Sequence, residues 1–152
     1  MNKKVKLIIF FISSLAANIT YGSNNEFINH ILSFDAAQSQ LNLQKSLPHL
    51  ADEISIKIKT CSNTVDTFNK EEFIKTYSSI LKNAELLSIS RNIKKIENCI
   101  SSQCTIYSDL TERLVGYQGK YDKTVTSADV TRIEKINGEI KIVSIDAEIQ
   151  CK

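Results

Sequence analysis

The residues from Arg132 to Ile149 form two runs of alternating character, RIEKI and EIKIVSIDAEI, joined by Asn137-Gly138. An Asn-Gly pair between such runs is the strongest short signal for a β-hairpin, because both residues of its tight turn adopt a positive φ. Within the second run the apolar positions change parity between Ile142 and Val143. A β-bulge produces such a change and bends the sheet. The C-terminal part of the chain is therefore predicted to form a long, bent hairpin.

Before the hairpin, the hydrophobic pattern changes from helical to strand-like. Apolar residues recur with helical spacing from Asn24 to Leu47, as one helix followed by a short one, and Pro48 ends this segment. Residues 52–59, DEISIKIK, alternate strictly and predict a strand with one buried face. Residues 61–68, CSNTVDTF, show no clear period and are interpreted as a loop.

The best-defined helix begins after Asn69. Its side chain and that of Glu72, three residues later, fit a capping box. Phe73 and Tyr77 belong to the apolar face of this helix, which is expected to run to Ala84. Strands are then predicted around residues 87–99, 104–114, 123–136 and 139–150. Helices followed by a meander predict one α+β domain, in which a curved sheet closes over the helix bearing Phe73 and Tyr77.

The first 22 residues have the pattern of a secretory signal peptide. Lys3, Lys4 and Lys6 precede an apolar run from Leu7 to Ile12, and small or polar residues then reach Gly22. The run is shorter than the roughly 20 residues that span a bilayer, which favours cleavage near Gly22 and leaves an uncleaved anchor as the alternative. Residues 1–22 are therefore assigned to the signal, and residues 23–152 to a single periplasmic or secreted domain.

All four cysteines, Cys61, Cys99, Cys104 and Cys151, lie in the mature part. An even number in a small exported domain predicts two disulfides and leaves three pairings open. Zinc is disfavoured because only two cysteines are close in sequence and no His adjoins them, so no metal or other cofactor is expected. Loss of the signal would lower the formal net charge from +2 to about −1. Neither nucleic acid nor, after cleavage, a membrane is an expected partner.

The order of the elements resembles the nuclear-transport-factor-2-like superfamily, which includes ketosteroid isomerases and polyketide-cyclase-like proteins. The segments that carry the resemblance are LADEISIKI as first core strand, NKEEFIKTYSSIL as capped helix and DVTRIEKINGEIKIVSIDAEI as last hairpin. The resemblance implies a cone-shaped, cystatin-like domain, in which a curved, mixed but mostly antiparallel sheet wraps the N-terminal helices around a pocket. It also implies a homodimer through the sheet. It implies no single function, because the fold hosts enzymes, carriers and interaction modules.

The resemblance further implies the disulfide pairing. In this superfamily the first core strand lies beside the last one and runs parallel to it, which would bring Cys61 and Cys151 together. Cys99 and Cys104 flank a four-residue turn between antiparallel strands, where a bond across the hairpin is geometrically reasonable. The expected pairs are therefore Cys61–Cys151 and Cys99–Cys104.

A ketosteroid-isomerase-like site needs a pocket base together with a Tyr and a protonated acid. The residues available for such a site are Tyr77, Tyr107, Asp109, Asp129 and Asp146. Their spacing matches no motif, and Tyr107 and Asp109 fall on the strand face opposite the apolar one, which is expected to be solvated. A polyketide-cyclase-like enzyme could also place the loop acid Asp52 near its pocket mouth. The candidate pocket residues are Phe73, Tyr77, Asp52, Asp129 and Asp146.

The remaining polar residues are not assigned to a site. His30 lies off the apolar stripe of the first helix and is expected at the surface, and His49 follows Pro48 in a loop. Charged strand residues such as Arg91 are interpreted as a solvated sheet face, with the polar rim of a protein interface as the alternative.

No nucleophile with its base, no phosphate loop and no metal cluster stands out in the sequence. The expected function is that of an exported, non-catalytic interaction module, such as an accessory or immunity-type protein of the cell envelope with a protein partner. The alternative is a binding protein, or a small isomerase- or cyclase-type enzyme, that takes an apolar ligand into the conical pocket. A pocket filled by Phe and Leu side chains favours the first function. An open apolar pocket with two or more inward ionisable groups favours the second.

Overall fold

The computed structural model describes residues 24–151. The predicted signal segment, residues 1–22, lies outside the described residues, so its cleavage and the export that it implies stay predictions. Among residues 24–151, no helix combines the length and the apolar character that crossing a membrane requires.

The elements follow one another in the predicted order, with one strand added. The helices are α1 (Asn25–Gln38), α2 (Leu43–Ser46) and α3 (Lys70–Leu81), and a 3₁₀ turn (Leu47–His49) follows α2. The strands are β1 (Leu50–Lys59), β2 (Val65–Phe68), β3 (Ala84–Ile100), β4 (Gln103–Gly116), β5 (Tyr121–Ile136) and β6 (Glu139–Ile149).

The added strand is β2, which lies in the segment that the sequence pattern assigns to a loop. It pairs antiparallel with β1, from Val65 opposite Lys59 to Phe68 opposite Ile56. Three of its four residues are exposed, because it is an edge strand held to β1 through its backbone. No alternation of apolar and polar residues is needed for such a strand, which explains why the prediction of a loop was wrong there.

The six strands form one sheet in the order β2-β1-β6-β5-β4-β3. Strands β1 and β6 run parallel, and every other neighbouring pair is antiparallel. The prediction of an α+β domain with a mixed, mostly antiparallel curved sheet is confirmed. The first core strand also lies beside the last, as the resemblance implies.

The predicted bulge lies at Val143. Arg132 pairs with Ser144 and Ile133 pairs with Ile142, so Val143 is the extra residue in β6. On the other side of β6, the register of β1 shifts between Leu50, opposite Ile142, and Ser55, opposite Ser144. The pairing of β6 with β5 and its pairing with β1 therefore both shift register between Ile142 and Ser144. A bulge at this position bends the sheet.

Helix α1 packs against the concave face of the sheet and supplies the centre of the core. Phe27 and Ile31 of α1 and Ile106, Ile133 and Ile142 of the sheet are all 0% exposed. Helix α3 has no fully buried residue. Helix α3 faces the same side of the sheet, where Phe73 packs at the margin of this core and Tyr77 lies opposite sheet residues.

The N-terminus of α3 is fixed by the capping box that the sequence predicts. The backbone N–H of Glu72 donates to Asn69 Oδ1 at 2.9 Å, and the backbone N–H of Asn69 donates to Glu72 Oε2 at 2.9 Å. Lys70 then reaches back to β1, where its Nζ lies 2.8 Å from Asp52 Oδ1. Because α3 is anchored at its first turn and packs loosely along its length, space remains between its apolar face and the sheet.

Two disulfides join the ends of the strands. Cys61 and Cys151 link the segments that follow β1 and β6, with their Cα atoms 5.7 Å apart. Cys99 and Cys104 are bonded across the turn between β3 and β4, with their Cα atoms 4.1 Å apart. These are the pairs that the resemblance implies, and residues 24–151 contain no free cysteine.

Candidate ligand pocket

A cavity of about 240 Å³ lies between α1, α3 and the concave face of the sheet. Its walls are mainly apolar and include Phe68, Phe73 and Ile145. The polar side chains that also line it are Gln38, Thr76, Tyr77, Arg91, Glu112, Ser127 and Asp129. Small-molecule sites commonly have this form, a largely apolar cavity with a few converging polar groups.

The strand register explains why these polar side chains converge. Residues paired directly across neighbouring strands project from the same face of a sheet. The successive rows on the concave face are Ile93–Ser108–Asp129–Ala147–Ile58, then Arg91–Leu110–Ser127, then Ile89–Glu112–Val125. Each of these rows therefore carries at least one polar residue on the side where α1 and α3 lie.

Arg91 is the centre of a buried ionic network, and its side chain is only 3% exposed. Its Nε donates to Asp35 Oδ2 at 2.7 Å and its Nη2 donates to Asp35 Oδ1 at 3.0 Å, which is a bidentate pair between β3 and α1. Its Nη1 donates to Ser108 Oγ at 2.7 Å and lies 3.7 Å from Asp129 Oδ2. The interpretation of Arg91 as a residue of a solvated face was therefore wrong.

Asp129 is the second acid of this network and is 3% exposed. Ser127 Oγ donates to Asp129 Oδ1 at 2.5 Å. Burial raises the pKa of Asp129 above its ordinary value, although the Ser127 hydrogen bond and the charge of Arg91 act in the opposite direction. The environment of Asp129 therefore favours proton uptake more than that of an exposed aspartate does.

Glu112 lies one row beyond Arg91 and lines the same cavity. Burial raises the pKa of Glu112, and the nearby charges of Asp129 and Asp35 raise it further, against the opposing charge of Arg91. The Glu112 side chain forms no ion pair or hydrogen bond with another residue of the described chain. Glu112 is thus a carboxyl group in a largely apolar cavity without a protein partner.

Tyr77 projects from α3 into the cavity and stacks on Phe73, with ring centroids 5.1 Å apart. Its hydroxyl oxygen is buried and has no hydrogen-bond partner among residues 24–151. Burial, with the charges of Glu112 and Asp35, raises the pKa of Tyr77 far above its ordinary value, so the hydroxyl is neutral. A second cavity of about 230 Å³ is also lined by Tyr77 and Glu112, which therefore separate two adjoining spaces.

The structure brings three of the five candidate pocket residues together. Phe73, Tyr77 and Asp129 line the cavity. Asp52 does not, because its side chain is 98% exposed at the start of β1 and pairs there with Lys70. Asp146 does not either. It pairs with Val130 and Lys57 on the opposite face of the sheet, where it lines a separate groove of about 480 Å³.

Sequence reasoning missed Asp35, Arg91 and Glu112, although alternation contained a signal for two of them. Arg91 has the parity of Ile89 and Ile93 in β3, and Glu112 has the parity of Leu110 in β4. A polar residue at an inward position of a strand is more informative than one at an outward position, because its burial requires a partner or a ligand. For Asp35 the signal is weaker, since it adjoins the apolar stripe of α1.

His30 differs from its expected surface position, and His49 ends the 3₁₀ turn that follows α2. His30 and His49 are both partly buried, with ring centroids 4.7 Å apart, and His30 Nε2 lies 3.3 Å from the backbone oxygen of His49. Burial lowers the pKa of both rings. Helix α1 and the 3₁₀ turn that follows α2 therefore contact each other through these rings.

Tyr107 and Asp109 lie on the convex face, as the alternation of β4 predicts. Asp109 Oδ2 is 3.0 Å from Lys94 Nζ, and both residues border the groove that contains Asp146. Among residues 24–151, no three His, Cys, Asp or Glu side chains are grouped so that they could hold a metal ion.

No protein-family model matches the sequence, and no curated protein matches it. Solved structures do match. A candidate calcium/calmodulin-dependent protein kinase II association domain from Xanthomonas campestris has a TM-score of 0.71 and 18% identity, and the match covers 90% of this chain and 94% of that one. A ketosteroid isomerase-like protein from Erwinia carotovora atroseptica has a TM-score of 0.63 and 9% identity, over 82% and 94% of the two chains.

An NTF2-like protein of unknown function from Shewanella baltica has a TM-score of 0.63 and 12% identity, over 89% of this chain and 100% of that one. At such identities the likeness concerns the fold alone. The described chain therefore has the nuclear-transport-factor-2-like fold, as its order of elements predicts.

Proposed function

We propose that the chain is a non-catalytic binding protein that takes a small, largely apolar molecule into the cavity between α3 and the sheet. The observation that carries the proposal is the open cavity of about 240 Å³, in which Glu112 and Tyr77 present polar atoms without protein partners. A cavity closed by Phe and Leu side chains would have favoured a pure interaction module. The open cavity with inward ionisable groups supports the ligand-binding alternative instead.

The loose packing of α3 supports the same proposal. No residue of α3 is fully buried, although its apolar face carries Phe73, Ile74 and Tyr77. An amphipathic helix is stabilised mainly by the burial of its apolar face. A ligand between α3 and the sheet would complete that burial, so binding is expected to stabilise the folded chain.

Titration with Nile red, an uncharged apolar dye, tests the proposal. Ala147 lies on the concave face and lines the cavity, so Ala147→Leu fills part of the space. Ala128 is exposed on the opposite face of the neighbouring strand, so Ala128→Leu is the matched control. We expect the parent chain and the Ala128→Leu variant to bind the dye and the Ala147→Leu variant to bind it weakly. Equal binding by all three folded proteins, or none by the parent, contradicts the proposal.

A second candidate is a proton-transfer enzyme of the isomerase or cyclase type. It is favoured by one observation, a pair of cavity acids with raised pKa values, Glu112 and Asp129, near the unpartnered Tyr77 hydroxyl. Cavity acids with raised pKa values can serve as general acid or base. The test is exchange of an α-hydrogen of a bound apolar ketone with deuterated water. Exchange that depends on Glu112 supports an enzyme, and its absence with a bound ketone supports a binding protein.

The proposal places the protein outside the cytoplasm. The signal-like N-terminus and the pairing of all four cysteines in disulfides support export. Mass analysis of the protein from a periplasmic fraction should give a chain that begins near Ser23 and resists alkylation until it is reduced. A protein partner, as in an accessory or immunity-type role, and a homodimer through the sheet stay predictions.

A further inference from the structure

We infer that the molecule bound in the cavity is an amphipathic cation, with an apolar body and a protonated amine directed at Glu112. The inference rests on the proposed function, because it names the chemical class of the ligand for the same cavity. It follows from the balance of charge in the cavity and from which polar atoms are left without partners.

The Arg91 guanidinium is already engaged by acceptors of the protein itself. Its Nε and Nη2 are used by Asp35 and its Nη1 by Ser108, with Asp129 Oδ2 at 3.7 Å. Two carboxylates thus face one guanidinium, which leaves one negative charge in excess when both are ionised. Glu112 adds a further carboxyl group to the same cavity.

Buried charge of one sign is costly unless it is paired or removed by protonation. Burial, with the nearby Asp129 and Asp35, raises the pKa of Glu112, because its charged form is disfavoured in this cavity. A cation relieves the excess negative charge, because its own charge stabilises ionised Glu112. Lys123 also lines the adjoining cavity, but it is exposed and forms no ion pair with Glu112 in the described chain.

The unpartnered atoms favour an N–H donor as well. Ionised Glu112 accepts hydrogen bonds, and the buried Tyr77 oxygen can accept one. A carboxylate or phosphate would face the excess negative charge. An ammonium group, in contrast, has several N–H donors for these acceptors, and the surrounding Phe68, Phe73 and Ile145 side chains suit its apolar body.

Three probes that share the same apolar group test the inference by calorimetry at about pH 7, where alkylamines are protonated. They are 4-phenylbutylamine, 4-phenylbutanol and 4-phenylbutanoate. We expect the amine to bind about tenfold more tightly than the alcohol, as one charge-assisted hydrogen bond provides, and the carboxylate to bind most weakly. Glu112→Gln should abolish most of the preference for the amine. Glu148→Gln, at an exposed position on β6, should keep it.

The outcomes separate the inference from the proposed function. Equal binding of amine and alcohol, or Nile red binding without binding of the amine, overturns the inference and leaves the apolar pocket standing. A preference for the amine that persists in Glu112→Gln also overturns it, because the cation would then be held elsewhere. If neither the three probes nor Nile red bind the folded protein, both the inference and the proposed function fail.

Discussion

Arg91 of β3 and Asp35 of α1 are joined by two parallel hydrogen bonds of 2.7 and 3.0 Å in the interior of the domain. Their side chains are 3% and 8% exposed. The pair connects the far strand of the sheet with the helix that fills its concave face. Asp129 of β5 adds a second carboxylate and Ser108 of β4 a hydroxyl acceptor, so one guanidinium connects four elements at the boundary between core and cavity.

Replacing Arg91 with Met is expected to lower the free energy of unfolding by about 3–5 kcal/mol, because it leaves Asp35 and Asp129 as buried carboxylates without a counter-charge. The measurement is urea unfolding at neutral pH. The matched control is Arg113→Met, which breaks a bidentate pair with Asp122 of similar geometry at an exposed site. That control should unfold at nearly the parental urea concentration, since exposed pairs contribute little. Equal losses in the two variants would contradict a special role for burial.

The disulfides are expected to contribute unequally to stability. Cys61–Cys151 spans 90 residues and Cys99–Cys104 spans 5. In the chain-entropy estimate the long loop contributes about 4.6 kcal/mol and the short one about 2 kcal/mol, because the longer loop restricts the unfolded chain more. Guanidinium unfolding of the Cys61→Ser/Cys151→Ser and Cys99→Ser/Cys104→Ser variants measures both. A larger loss in the second variant would show that native-state contacts, not loop closure, determine the contribution.

Much of the fold could be predicted from the sequence because its elements are marked locally. The Asn137-Gly138 turn, the parity change at Val143 and the capping box at Asn69 each rest on neighbouring residues. Strand β2 carries no such mark, since it pairs through its backbone at an exposed edge. How tightly each helix packs on the concave face depends on contacts between distant segments: α1 supplies the buried core, whereas α3 leaves a cavity.

The candidate site was harder to predict than the fold, because it too depends on contacts between distant segments. Hydrophobic patterning selects the apolar residues of each strand and passes over polar residues at inward positions, such as Ser108 and Glu112 in β4. Glu112 lines the cavity, and Ser108 accepts a hydrogen bond from Arg91 beside it. Their partners also come from other elements: Arg91 is neutralised by a helix residue 56 positions earlier. Only the packing of α1 on the sheet shows that these positions belong together.

The hydroxyl of Tyr77 is expected to serve the ligand and not the fold. It has no hydrogen-bond partner among residues 24–151, so Tyr77→Phe breaks no bond in the empty protein. The free energy of unfolding should stay within about 1 kcal/mol of the parental value or rise. Binding of 4-phenylbutylamine should weaken, because the amine loses an acceptor.

Thermal unfolding and calorimetry measure these two effects of Tyr77→Phe. The matched control is Tyr107→Phe on the convex face, which should leave binding of the amine unchanged. If Tyr77→Phe destabilises the empty protein strongly, its hydroxyl has a structural partner. If amine binding is identical in parent and variant, the hydroxyl does not contact the ligand.

His30 and His49 give the chain a pH-dependent stability. Burial lowers the pKa of both rings below the ordinary value of 6.5, and the nearby Lys141 acts in the same direction. The unfolded chain therefore takes up protons first as the pH falls. The free energy of unfolding should be at its full value above about pH 6.5 and decrease as the pH falls through it. Urea unfolding from about pH 8 to about pH 5 measures this decrease, which should be smaller in His49→Gln. The cavity acids Glu112 and Asp129, whose pKa values are raised, act oppositely but equally in both proteins. An identical decrease in the variant would therefore contradict the assignment to the histidines.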